Sequence, residues 1–313
     1  MLWGVSGTAA QILMQRDGFS PSWLVTVRLI VAGLSVLLLT RAGPQAARPH
    51  LLGPFARRGD GLRLAVFSVV GILAFQMTCF QAISAASAPA ATFLQELGPV
   101  ILAVSGSVLS RRLPGPVRLA AMAVACVGTG LLSTAGHLDR LAVSPSGLAW
   151  GLGSAFALAF YSAYPRRLLS RYDSRVVMGH GMFLAGAVSA LFAHPWDLGE
   201  ARLTLGSISL LAVVVFLGTA AAFTLYAASL TRLRPVESAF LSSAEPLTSA
   251  FAASLWLGVR LTTPMVLGGI MILTAVVLLA RPAAQPSRSG DPPPGGRRAM
   301  AERMTGILSE VKP

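Results

Sequence analysis

Two stretches, APAATFLQELGPV at residues 88–100 and RPVESAFLSSAEPL at residues 234–247, carry the same punctuation. Each opens at a proline and meets a second one further on, Pro89 then Pro99 in the first and Pro235 then Pro246 in the second. The copies stand 146 residues apart at the first proline and 147 at the second. Working outward, Trp3-Gly4-Val5-Ser6-Gly7 returns 147 residues later as Trp150-Gly151-Leu152-Gly153-Ser154. Arg112-Leu113-Pro114-Gly115-Pro116 returns after 148 as Arg260-Leu261-Thr262-Thr263-Pro264. Four anchors at nearly one offset indicate an internal duplication.

The medium around these stretches follows from composition. Of 313 residues, 54% are hydrophobic and 12% charged, about half the ~25% charged fraction of a soluble domain. Ten apolar stretches follow one another, at 1–15, 22–40, 64–83, 88–109, 117–136, 147–165, 176–193, 207–230, 236–257 and 264–280. Most reach the ~17 to 25 residues of a membrane-spanning helix, and the alternation of a barrel strand is absent. The fold expected is an all-α polytopic membrane protein with ten transmembrane helices. The first stretch starts at Met1 without the basic flank of a signal peptide; a start upstream of Met1 would account for its shortness.

Five spans per copy is an odd number, so the second copy enters the membrane in the opposite sense: two inverted five-helix repeats. Residues 1–136 form the first repeat and 147–281 the second, and the proline- and glycine-rich 282–313 is expected to be a disordered tail. The net charge of +13 fits this arrangement. With the start of the first span inside, most of the 25 Lys and Arg fall in internal loops and the tail, leaving Arg16, Arg140, Arg202 and Arg260 outside. The basic excess is then an orientation signal with both termini cytoplasmic, rather than a nucleic-acid surface. Cys79 and Cys126 lie inside spans, and the four histidines form no metal-binding spacing, so no disulfide framework, metal or other cofactor is implied.

The order of motifs resembles the EamA type of the drug/metabolite transporter superfamily. The residues that carry the likeness are LWGVSGTAAQ at 2–11, the arginine-bearing VRLIVAGLSVLL at 27–38, the two proline-punctuated stretches, and VLGGIMILTAVVLL at 266–279. The resemblance implies a fold of two five-helix repeats and a transporter of small metabolites or drug-like solutes, often an exporter, in the plasma membrane. It implies no enzyme. No Walker-type GK[ST] loop is present, so a solute or ion gradient is the expected source of power. The partners expected are a small-molecule substrate and the lipid bilayer, with a homodimer left open.

Charges inside spans are costly and therefore mark candidate sites. Glu245 lies ten residues past Pro235, about 15 Å along a helix, near mid-bilayer, and reads either as a proton- or amine-binding carboxylate or as a hydrogen-bonded structural group. Ser242 and Ser243 stand within a turn of it. Arg28 and Glu96 lie at similar depths from the outer ends of their spans and are expected to pair, as an interhelical tie or an external gate, with an anion-binding arginine as the other reading. Gln11, Gln76, Gln95 and Tyr161 are the polar residues expected around the pathway, although each alone is an ordinary helix-packing group. A second class, an intramembrane serine protease, would use Ser6 of Gly4-Val5-Ser6-Gly7 with His180. The repeat counterpart of Ser6 is Gly153, which weakens that reading.

The orientation is tested by single cysteines in a cysteine-free background. Positions 138 and 199 are expected to react with an impermeant thiol reagent on intact cells, and positions 57 and 170 to stay unlabelled; opposite sidedness would overturn the assignment.

Overall fold

The computed structural model describes residues 1–42, 50–109, 115–134, 143–229, 244–259 and 261–280. Met1–Ala280 make up one compact unit. The expected tail, and the arginine-rich loop around Arg111 and Arg112, fall outside the described residues. Every regular element among those described is helical. The helices are α1 (Leu2–Gln15), α2 (Pro21–Ala42) and α3 (Arg58–Ala85), then α4 (Ala88–Gln95), α5 (Gly98–Leu109) and α6 (Pro116–Thr134). After them come α7 (Pro145–Ala163) and α8 (Ser174–Ala193), and then α9, which runs without interruption through Leu205–Ala212, Val213–Ala221 and Ala222–Ser229. The last two are α10 (Ala244–Leu257) and α11 (Thr263–Ala280). Four helices among the described residues are long and apolar enough to cross a bilayer: Pro21–Ala42, Arg58–Ala85, Ser174–Ala193 and Leu205–Tyr226.

Local sequence sets where these helices start and break. Pro145 follows Ser144, whose Oγ accepts from the Gly147 amide at 3.0 Å and donates to the Ala85 carbonyl at 2.7 Å. One serine therefore caps α7 and ties it to the end of α3. Asp173 caps α8 by accepting from the Arg175 amide at 2.8 Å, and the Arg175 guanidinium beside it holds this carboxyl below the usual carboxylate range. The stretch 88–109, expected as one helix, is two. The break falls at Glu96 and Leu97 because Pro99 lacks an amide proton and its ring clashes with the carbonyl four residues back, at Gln95. Two further departures are π-helical segments within α3 and α9, Phe67–Leu73 and Val213–Ala221.

The helices pack in specific pairs: α2 along α8, α6 along α11, α3 on α7, and α1 against both α10 and the π segment of α9. Small residues permit the closest crossings. A Cβ added to Gly33 of α2 would lie 2.6 Å from the Phe183 amide nitrogen of α8, and one on Gly128 of α6 would lie 2.7 Å from the Gly268 carbonyl of α11. The larger core gathers Leu13, Leu24, Leu29, Phe67, Ile72, Met178 and Phe223; a second, around Phe93, Leu94, Leu132 and Ile272, joins α4, α6 and α11. Large apolar side chains such as Leu38, Leu39, Phe156, Leu191, Phe251 and Leu255 face outward and exposed, as the lipid-contacting surface of a membrane protein requires.

Gly33→Ala is expected to lower stability by roughly 1 to 3 kcal/mol through forced separation of α2 and α8. Gly130→Ala, at a helical site with nothing within 4 Å of the added carbon, is expected to be at least as stable as the parent. Thermal unfolding in detergent checks the contrast, and equal Tm values would contradict the close approach.

Candidate functional site

A small cavity lies where α1, α2, α3, α4, α9 and α10 converge. Its polar wall is Ser6, Arg28, Gln76, Thr92, Gln95 and Glu245, and its apolar wall includes Trp3, Phe75, Phe80, Ile83 and Phe223. Of the residues singled out from sequence, Arg28, Gln76, Gln95 and Glu245 are thus brought together. Gln95 Nε2 donates to Glu245 Oε1 at 3.4 Å, a link between α4 and α10. Glu245 is 7% exposed and sits beside Pro246 in the first described turn of α10. Ser242 and Ser243 lie outside the described residues.

Arg28 is held differently from the sequence expectation. Its Nε donates to Thr219 Oγ1 at 2.9 Å, and its guanidinium carbon stands 4.4 Å from the centre of the Phe80 ring. The Thr219 hydroxyl in turn donates to the Val214 carbonyl at 2.7 Å, five residues back, the spacing of a π turn. No ion pair between Arg28 and Glu96 exists among the described residues. The reason is geometric: Glu96 sits at the break between α4 and α5, whereas α2 presents Arg28 to α9 and α3. Glu96 is 4% exposed but does not line the cavity.

Two other candidates have architectural partners. Gln11 Oε1 accepts from the Ala88 amide at 2.8 Å, satisfying a donor at the start of α4. Tyr161 is stacked with Phe67 and Phe75 at 5.5 and 5.7 Å between ring centres, its hydroxyl 3.9 Å from Met178 Sδ. The protease pair does not form. Ser6 is packed on Gly218 in the cavity wall, while His180 Nδ1 is 3.0 Å from the Val176 carbonyl and its ring lies edge-on to Phe55.

The cavity also contains groups that the sequence did not single out: Trp3, Phe75, Cys79, Phe80 and Phe223, with Thr219 behind Arg28. Trp3 carried a signal, its place in the duplicated Trp-Gly motif. Three buried atoms on cavity residues, Trp3 Nε1, Gln76 Nε2 and Gln95 Oε1, have no hydrogen-bond partner among the described residues. Native proteins rarely leave such atoms unsatisfied, and here two donors and one acceptor belong to the same wall.

A helical body with an apolar outer surface and an internal polar cavity is the organisation of a polytopic membrane protein that handles a solute within the bilayer. The comparisons name the kind. The EamA-like transporter family matches residues 1–134 and again 145–281. A protein of Salmonella typhimurium (strain LT2), named an uncharacterized inner membrane transporter, YicL, is 35% identical over 292 residues, spanning 92% of this chain and 95% of that one. A solved crystal structure superposes with a TM-score of 0.58 at 17% identity, over 88% of this chain and 94% of the other, a likeness of fold alone. The chain belongs to the EamA-like transporter family, within the drug/metabolite transporter superfamily, and is a multi-pass membrane transporter rather than an enzyme.

Because Arg28 relies on Thr219, Thr219→Val is expected to lower stability by about 1 to 3 kcal/mol, the cost of stranding a buried donor, with Thr219→Ser close to the parent. The exchange Arg28→Glu with Glu96→Arg is expected to give no mutual rescue in a folding assay. Recovery in that double variant would reinstate the pair.

Proposed function

We propose that the protein is a secondary transporter of a small metabolite or drug-like solute, working by alternating access around the cavity that holds Glu245. The observation that carries this is the bond from Gln95 to Glu245 across the cavity wall, which joins equivalent spans of the two sequence copies. Reciprocal packing supports the reading. Gly4 of α1 lies against Glu245, Thr248 and Ser249 of α10, while its counterpart Gly151 of α7 lies against Leu94 of α4. The π segments begin at positions 67 and 213, the separation of Pro89 and Pro235. α3 packs on α7 as α9 packs on α1. Such paired contacts support an arrangement of ten spans in two inverted repeats, 1–136 and 147–281, related by a two-fold axis in the membrane plane.

On this reading the protein resides in the plasma membrane with both termini cytoplasmic and moves its solute outward. A relative named as an inner membrane transporter supports the location, and the distribution of arginines supports the orientation. Glu245 is the group through which solute movement couples to protons or to a cationic part of the cargo, since a carboxylate kept from water requires a proton or a cation.

Extracellular and intracellular metabolites of a deletion strain and an overexpressing strain test the function. One solute is expected to shift in opposite directions in the two strains, and overexpressed Glu245→Gln, present in the membrane at normal levels, is expected to reproduce the deletion profile. Glu245→Gln transport at the parent rate with unchanged pH dependence would overturn the role given to this carboxyl.

A further inference from the structure

At the Arg58 end of α3, away from the cavity, another carboxylate is buried. Asp60 is 3% exposed. Arg171 Nη1 donates to its Oδ2 at 3.1 Å and Oδ1 at 3.3 Å, and the Tyr172 hydroxyl donates to Oδ2 at 3.0 Å. Arg63, on α3 itself, approaches Oδ1 at 3.7 Å. Arg171 and Tyr172 belong to the linker between α7 and α8, so these bonds join the two sequence copies. The short helical turn Gly53–Phe55 closes over them, with Gly53 against the Tyr172 ring and Phe55 against His180 of α8.

The repeat offers an internal comparison. α3 starts at Arg58 and α9 at Leu205, the offset of the duplicated motifs, and Ser207 therefore occupies the place of Asp60. Ser207 is equally buried. Its hydroxyl is 2.9 Å from the Arg202 carbonyl, and the Arg202 amide donates to the Asp17 carbonyl in the linker between α1 and α2, also at 2.9 Å. The connection is the same, from the start of the third helix of one copy to the first linker of the other. One version is built of charged side chains and the other of neutral backbone bonds.

Cys79, in the cavity wall, lies nineteen residues beyond Asp60, roughly 28 Å along α3. The stacked rings of Phe67, Tyr161 and Phe75 stand between them. The charged cluster is thus a second barrier behind an aromatic one.

We propose that Asp60, Arg171 and Tyr172 form a latch that holds the protein closed at the Arg58 end, biasing it toward the conformation whose cavity opens at the Ala85 end. The proposal rests on the alternating-access reading above. Interactions present in only one of two states shift their populations by just that difference. The Arg171 side chain is 39% exposed, so on release it is resolvated and the latch can reopen. Asp60 is the half that stays inside.

The test uses Cys79 as reporter in a Cys126→Ala background, with a charged methanethiosulfonate reagent applied to sealed vesicles of each orientation. The parent is expected to react faster from the Ala85 side. Asp60→Asn and Arg171→Gln are expected to raise the rate from the Arg58 side on the order of tenfold, the scale of one lost charged hydrogen bond, and Tyr172→Phe to raise it less. Asn at 60 can still accept from Tyr172, so this variant folds with one bond kept. Disrupting the exposed pair Asp173 and Arg175 in the same linker, by Asp173→Asn, is expected to leave the rate unchanged. Sided labelling that the Asp60 and Arg171 variants do not alter, or that Asp173→Asn alters as much, would overturn the latch alone. Equal labelling from both sides in every variant would overturn alternating access and the latch with it.

Discussion

Hydrocarbon supplies no hydrogen bonds, so a polar group carried into this bundle needs a partner from its own helix or from a neighbouring one. Arg28 is the severest case. It is 3% exposed, and its position rests on a threonine hydroxyl from α9 and the face of Phe80 on α3. Those contacts require α2, α3 and α9 to meet at one level. The cavity therefore follows from satisfying one guanidinium: the helices that surround the charge are helices that wall the site.

The π segments show how this is done locally. Thr219 reaches the Val214 carbonyl five residues back, so its oxygen is turned out of ordinary α register toward Arg28. A π turn rotates everything beyond it around the helix axis, and Gly218 leaves room for Ser6 at the same place. α3 has its own π segment one repeat earlier, where Gly71 faces the Phe67 ring and that ring meets Tyr161. Both segments thus sit where a helix must aim a side chain at the interior.

Much of the fold was legible in sequence because hydropathy and proline spacing are properties of the chain itself. Apart from the break at Glu96 and Leu97 and turns at their ends, the apolar stretches are helical where they are described, and Arg28, Gln76, Gln95 and Glu245 could be picked out simply as polar groups with no business in lipid. What was not legible depended on rotation about helix axes. Depth alone made Arg28 and Glu96 look like partners, but depth says nothing of which face a residue occupies, and the break before Pro99 sets Glu96 apart from α2. Thr219 and the aromatic wall were hidden for the same reason. A π turn has no compositional mark, and Phe75 and Phe80 resemble the many apolar residues around them. Gln11 shows the converse: a polar group in a span that closes the amide of Ala88.

An inverted repeat with identical halves would have two conformations of equal energy, because the operation that exchanges the halves also exchanges the two sides of the membrane. Whatever favours one state, and whatever gives the cavity its chemistry, must come from positions where the copies differ. The counterpart of Glu245 is Gly98, which packs on Leu158 and Ala155, so the carboxylate enters the site from one half only. The counterpart of Asp60 is Ser207, so a charged tie stands at the start of α3 and a neutral one at the start of α9. The linker that reaches Asp60 spans residues 164–173, against 16–20 in the first copy, and the added chain carries both Arg171 and Tyr172. Duplication accounts for the paired crossings and paired π turns; on the proposed function, direction and selectivity belong to the residues that escaped it.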